Sequence, residues 1–219
     1  ALGYRDEEYD AFAMNRKTRV SRYVECLEVM RQLWTRDEVT FHGKYFNLDN
    51  ARMVLKPVQE PHPPIWVAGR REAAMTRAAL LGDGWLPYFY SPERYRDSVE
   101  KITVTATQQG HEMSDFKWAL FSYISIYETV GEASAIAADI LGSQYMSSRD
   151  FIEVVRSYCL LGPVERCVDR MVEYYQAGVR EFIFSVTCPM EDRTRHVDAI
   201  SKELIPAFRE RVKSQERPR

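Results

Sequence analysis

The sequence predicts an α/β protein, a parallel sheet covered by helices. Two observations carry this. Pro63-Pro64-Ile65-Trp66-Val67-Ala68-Gly69 reads as a buried strand running into a tight turn. An alanine-rich helix follows, and Gly82-Asp83-Gly84-Trp85-Leu86-Pro87 then reads as a glycine stop and a second strand, which completes one β-α-β unit. The second observation is that strand and helix patterns keep alternating to the end of the chain, as parallel strands joined by helical crossovers do.

Taken in order, Ala1 to Tyr4 reads as a strand end, and Arg5 to Asn15 as a polar loop with a short helix. Val20, Tyr23, Val24, Leu27, Met30 and Trp34 recur at steps of three and four, the apolar stripe of an amphipathic helix. Val39-Thr40-Phe41 and Lys44 to Leu48, around His42-Gly43, read as a small hairpin. Four prolines (57, 61, 63 and 64) make the stretch from Lys56 to Pro64 an extended connection.

Beyond the β-α-β unit, Ser91-Pro92-Glu93 is an N-cap with proline at the first helical position, and its helix stops at Gly110. Trp118 to Tyr127, rich in aromatic and β-branched residues, reads as a long strand. Two helices with a break near Met146-Ser147-Ser148 fill the stretch from Gly131 to Tyr158. Gly162-Pro163 opens a helix that ends at Gly178, and Glu181 to Val186 is the last strand. A closing helix runs from Arg195 to Val212, bent or ended early by Pro206. Counting the strand end, five parallel strands are expected. They suit a small open sheet or the second half of an eight-stranded barrel, and the pattern does not choose between them.

The 219 residues suffice for one sizeable core or two small ones, and 45% hydrophobic with 28% charged residues is ordinary for a globular enzyme. A net charge of −2 without a basic block argues against nucleic acid and anionic membranes as partners. No apolar run approaches a membrane span. Cys26, Cys159, Cys167 and Cys188 are scattered, without paired spacing, and read as free thiols of a cytoplasmic protein. The chain begins with Ala1 inside what reads as a strand, so loss of an N-terminal part from a longer protein is expected.

Arg70 and Arg71 stand where the first crossover helix begins. A helix N-terminus is partly positive, so cations there are unfavourable unless an anion such as a phosphate shares the site. Glu72 offsets part of that charge, and surface arginines remain the alternative. His42, His62, His111 and His196 read as loop or exposed residues without metal spacing, so no metal site is expected. Trp66, Trp85 and Trp118 read as core, and no nucleophile elbow or Walker loop is present.

A resemblance runs through the chain. It is carried by Gly3-Tyr4-Arg5-x-Glu7-Glu8-Tyr9-x-Ala11-Phe12, Arg19-x-x-Arg22 with Glu25 and Leu27, and Leu33-Trp34-Thr35. It continues in Phe41-x-Gly43-x-Tyr45-Phe46-x-Leu48, Lys56-Pro57-Val58-Gln59-x-Pro61, Pro63 to Gly69, and Gly82 to Pro87 with Ser91-Pro92-Glu93. Gly162-Pro163-x-Glu165 and Ala177-Gly178-Val179 close it. In these segments the chain resembles the C-terminal part of the bacterial luciferase-like monooxygenases, flavin-dependent or F420-dependent (β/α)8 TIM barrels. The resemblance implies one domain over residues 1–219, entering at the end of the fourth strand, with its strands near 65–69, 84–89, 117–127 and 181–187 as the fifth to eighth. Residues 36–64 would be an insertion, a hairpin and a proline-rich connection. A half barrel has open edges, so a missing segment, a proteolytic loss or a shortened, dimerising homologue is expected.

The same resemblance assigns candidate sites, which in such barrels lie at the C-terminal ends of the strands. Ala68, Gly69, Arg70 and Arg71 would receive the cofactor phosphate, although the paired arginines depart from the small residues frequent there, and either strengthen the site or point to solvent. Tyr4 and Glu7 would face the flavin, or belong to a solvated acidic loop. Tyr88, Phe89 and Tyr90 would line the substrate pocket or pack at its rim. No residue is assigned a catalytic role. The implied activity is that of an FMN-using monooxygenase, with oxygen adding to reduced flavin and then inserted into a small organic substrate. A flavin reductase and a homodimeric state belong to the same expectation. The alternatives are hydride transfer with coenzyme F420 and a non-catalytic flavin-binding remnant.

Overall fold

The computed structural model describes residues 2–145 and 151–216. The expected break near Met146-Ser147-Ser148 lies outside the described residues. Helix α1 (Asp6–Ala11) starts with three acidic residues, Asp6, Glu7 and Glu8, which suit the positive end of a helix. Residues 2–5, before it, are not a strand. Gly3 takes a positive φ of 71°, and the Tyr9 hydroxyl donates to the Leu2 carbonyl. A strand needs a neighbour for its N–H and C=O groups, and no described strand pairs with this segment.

Helix α2 (Arg19–Thr35) buries Leu27 and Val29, and leaves the rest of its apolar stripe half-buried. The hairpin follows as β1 (Val39–His42) and β2 (Asn47–Ala51), paired antiparallel with Phe41 opposite Leu48. Its turn is bound to α2 through Glu25, whose carboxylate accepts the N–H groups of Lys44 at 3.1 Å, Tyr45 at 2.7 Å and Phe46 at 2.8 Å. Burial of Glu25 opposes ionisation, but the three N–H bonds outweigh it and hold the carboxyl below its ordinary range. The proline-rich connection is anchored by Lys56, whose ammonium donates to the carbonyls of Leu33, at 2.7 Å, and Arg36, at the C-terminal end of α2.

The main sheet is wholly parallel. Its elements follow in the expected order: β3 (Trp66–Ala68), α3 (Glu72–Leu81), β4 (Gly84–Leu86), α4 (Pro92–Gln108), β5 (Lys117–Ser125), α5 (Val130–Gln144), α6 (Ile152–Tyr158), β6 (Leu160–Leu161), α7 (Val164–Gln176) and β7 (Glu181–Val186). The count of five strands agrees with the sequence reading, but the fifth is β6 rather than the start of the chain. In register, Trp66 lies beside Gly84, Trp85 beside Trp118, and Ala119 to Ile124 beside Glu181 to Val186. Successive residues of a strand bond to opposite sides, which locates β6. Lys117 and Phe121 donate to Asp83 and Pro87 on the β4 side, and the odd-numbered Ser125 and Tyr127 bond Gly162. Strand β6 therefore takes the same edge of β5 as β4, further along, where β4 has turned away. This arrangement is the C-terminal part of an α/β barrel, with β3 and β7 as its outer strands among the described residues.

The principal core joins the sheet to its helices through Val67, Ala78, Trp85, Tyr95, Ile102, Leu120, Ile124, Met171 and Leu204. A second cluster of Phe89, Tyr123, Tyr127, Ala137, Leu141 and Val155 packs at the C-terminal end of β5 under α5 and α6. The closing helix starts at Arg193, earlier than expected, and passes Pro206. Helix α8 (Arg193–Ala199) widens into a π-helical turn at Ile200–Leu204 and continues as α9 (Ile205–Glu216). Pro206 has no N–H for the carbonyl four residues back, and one wide turn accommodates its ring without ending the helix.

Candidate functional site

The turn after β3 is built around Gly69. Its φ is 141°, and an added Cβ would lie 2.5 Å from the Cβ of Ala74, so no other residue fits without strain. Its carbonyl accepts a hydrogen bond from the indole N–H of Trp85 at 2.9 Å. Arg71, in extended conformation, precedes α3 without a side-chain cap. The Arg71 carbonyl accepts from Ala74 at 2.8 Å and Met75 at 3.1 Å. The N–H groups of Glu72 and Ala73 find no acceptor within the helix, which is the arrangement an anion satisfies.

The two arginines of the turn differ. Arg70 folds back, donating to the Phe89 carbonyl at 3.3 Å with its guanidinium 4.8 Å from the Tyr88 ring centre. Arg71 is exposed and makes no hydrogen bond or ion pair among the described residues. A third arginine joins them. Arg94 donates to the Arg70 carbonyl at 2.8 Å and lies 4.3 Å over the Tyr90 ring. None of the three pairs with a carboxylate among the described residues. The sequence reading did not single out Arg94. Its signal was its place in the first turn of the helix opened by Ser91-Pro92.

Tyr88 and Phe89 carry the turn into an aromatic cluster. Phe89 takes a φ of 47°, unusual for a side chain of its size. Its ring lies 5.0 Å from Tyr123 and 5.5 Å from Tyr145. Tyr145 stacks on Tyr88 at 6.3 Å with 12° between planes. It also stacks on Tyr4 at 6.3 Å and on Phe151 at 5.9 Å. The Tyr123 and Tyr145 hydroxyls are hydrogen-bonded at 2.5 Å. Burial raises both phenols above their ordinary range; their mutual bond raises Tyr145 further and opposes the rise at Tyr123. These two phenols are thus neutral below strongly alkaline pH.

Ala68, Gly69, Arg70 and Arg71 therefore share one turn, and Tyr88 and Phe89 adjoin it. Tyr4, half exposed, reaches the same cluster through Tyr145. Glu7 stands exposed on α1 and makes no hydrogen bond or ion pair among the described residues. Tyr90, grouped with Tyr88 and Phe89 in the sequence, enters the principal core instead. It is fully buried, hydrogen-bonded to Ser98 at 2.9 Å and set edge-on to Trp85 at 5.4 Å. Trp85 is core as expected, whereas Trp66 and Trp118 are half-buried.

His196 corrects another expectation. It is only 1% exposed. Its Nδ1 bonds the Asp192 carbonyl at 3.0 Å and its ring meets Tyr127 at 5.0 Å. The helix that carries it turns this face onto the sheet, which its polar neighbours in sequence concealed. Tyr127 in turn donates to the Asp192 carboxylate at 2.6 Å. Among the described residues no His, Cys, Asp and Glu group could hold a metal ion. No described helix is long and apolar enough to cross a membrane.

Comparison with known proteins follows the same lines. A dimethylsulfone monooxygenase from Pseudomonas putida, described as FMNH2-dependent, is 28% identical over 123 residues. The match covers 56% of this chain and 33% of that relative, so the chain matches about a third of the relative's length. A monooxygenase from Streptomyces bottropensis superposes with a TM-score of 0.78 at 19% identity, over 94% of this chain and 67% of its own. An F420-dependent secondary alcohol dehydrogenase, solved with an F420–acetone adduct, gives 0.75 at 22% identity, over 88% of this chain and 62% of its own. At these identities the structures establish a shared fold. A model of the luciferase-like monooxygenases matches residues 1–181. That match spans most of the chain, and the chain belongs to the luciferase-like monooxygenase family.

Proposed function

We propose that this chain forms the C-terminal part of a flavin-dependent oxidoreductase, an FMN-using monooxygenase acting on a small organic substrate. The observation that carries the reading is the turn from Gly69 to Arg71. Positive charge without a carboxylate partner meets unsatisfied N–H groups at a helix start, and a side chain at Gly69 would fill the space beside Ala74. A phosphate suits that combination.

In this reading Arg71 and the N–H groups of Glu72 and Ala73 hold the phosphate, with Arg70 and Arg94 setting the shape and charge of the turn. Gly69 allows close approach. When bound, reduced flavin supplies the electrons for oxygen chemistry, and the alternative deazaflavin supplies a hydride. Tyr88, Phe89, Tyr123 and Tyr145 border the reacting region as an aromatic wall and exclude water. The similarity to an FMNH2-dependent monooxygenase supports FMN over F420. Delivery of reduced flavin by a separate reductase and a homodimeric state belong to the same proposal.

Fluorescence titration with FMN and, separately, F420 tests it. Saturable FMN binding, with substrate-dependent oxygen uptake when the flavin is reduced, is the expected result. Binding of F420 alone, with hydride transfer and no oxygen uptake, replaces the reading with the F420 alternative. Binding of flavin without turnover of any kind makes the chain a flavin-binding remnant.

A further inference from the structure

A cavity of about 310 Å³ opens between α6, α7 and the start of α5. Three of its lining residues are arginines, Arg156, Arg166 and Arg170, and none is acidic. The walls meet through Gly162, whose φ is 97° and whose added Cβ would come 2.9 Å from the Val130 side chain. That contact sets the first turns of α5 and α7 side by side.

The three guanidiniums are differently engaged. Arg170 is fixed: it donates to the Ser157 carbonyl at 2.8 Å, pairs with Glu173 and lies over the Tyr174 ring. Arg156 has an exposed contact of 3.5 Å with Glu153, which is worth little in water. Arg166 makes no hydrogen bond or ion pair among the described residues. Like charges around one cavity repel, and a guanidinium fork is best satisfied by an oxyanion. Val130, Cys159 and Leu161 give the cavity an apolar wall beside its charge.

We propose that this cavity binds a small dianion of the phosphate class, at a site separate from the turn after β3. Arg156 and Arg166 present forks to the ligand and the engaged Arg170 adds its charge, so a dianion is better compensated there than a singly charged carboxylate. The volume, near the lower end for ligand sites, takes a phosphate with a small organic group against the apolar wall. The inference does not rest on the flavin reading.

Calorimetric titration of the full chain with inorganic phosphate and with glycerol phosphate, at low salt, tests the proposal. The background variant Arg70→Ala/Arg71→Ala removes the arginines of the other turn. The expected result is saturable binding in that background, weakened at least tenfold by Arg166→Ala and abolished by Arg166→Glu. Tighter binding of glycerol phosphate supports a phosphomonoester as ligand, and equal binding supports phosphate itself. No saturable binding, binding indifferent to both Arg166 variants, or loss of binding in the Arg70/Arg71 background overturns the proposal. Arg166 is exposed and unpaired, so its variants keep the fold.

Discussion

Arg94 donates a hydrogen bond of 2.8 Å to the carbonyl of Arg70, so the first turn of α4 holds the turn that ends β3. Trp85 holds the preceding carbonyl, that of Gly69, from within the core. Two successive carbonyls are thus engaged, and the N–H groups that open α3 have no acceptor among the described residues. The candidate phosphate site is a consequence of how the strand end is anchored.

Gly69→Ala tests the geometry of the turn. It adds a Cβ 2.5 Å from that of Ala74 at a φ of 141°. A loss of about 1–3 kcal/mol is expected, read as a lower denaturant midpoint with an unchanged slope. Adding Ala74→Gly removes the clash but not the backbone strain, so it restores part of the loss. An unchanged midpoint in Gly69→Ala contradicts the geometry described.

Trp85→Phe keeps an aromatic ring in the core and removes the donor to Gly69. The carbonyl left without its partner costs about 1–3 kcal/mol. Chemical denaturation measures this, and a variant as stable as the parent shows that the indole N–H does not hold the turn.

Burial pushes the thiols of Cys159 and Cys167 up to about 12 from an ordinary 9.0. Their folded-state values are raised, so between pH 9 and pH 12 the unfolded chain releases these protons first. Their contribution to stability is complete below pH 9 and is lost as pH rises towards 12. The loss amounts to about 1.4 kcal/mol per pH unit for each group. At pH 8 a maleimide should leave both unmodified in the folded protein and label them after unfolding. Rapid labelling of either in the native state contradicts their burial.

Tyr127→Phe removes the bond to Asp192 at 2.6 Å. A modest loss of about 0.5–1.5 kcal/mol is expected, together with faster hydrogen exchange around Thr187 to Asp192, which the bond ties to the end of β5. Exchange unchanged in this stretch shows that the loop is held by other contacts.

The sequence made the crossover units legible because each carries its own punctuation: Gly82, Ser91-Pro92, Gly110 and Gly162-Pro163 all stand at element ends. Strand β6 escaped because Leu160–Leu161 is too short for a periodic pattern and forms only where β4 leaves the edge of β5. The glycine and arginines of the turn could be read from their place between strand and helix. The place of Arg94 at a helix start was legible, but its bond to the turn and the stack of Tyr4, Tyr145 and Tyr88 were not, since these residues meet only through the fold. His196 looked exposed among polar neighbours, yet its helix buries it.

The most direct test of the account compares FMN with riboflavin, which lacks the phosphate, by fluorescence titration of the parent protein and of Arg71→Ala. FMN should bind the parent at least about tenfold more tightly than riboflavin, and Arg71→Ala should erase most of that preference, in keeping with about 1–3 kcal/mol for a charge-assisted hydrogen bond. Equal binding of FMN and riboflavin by the parent, or a preference that survives Arg71→Ala intact, contradicts the assignment of the phosphate to the turn after β3.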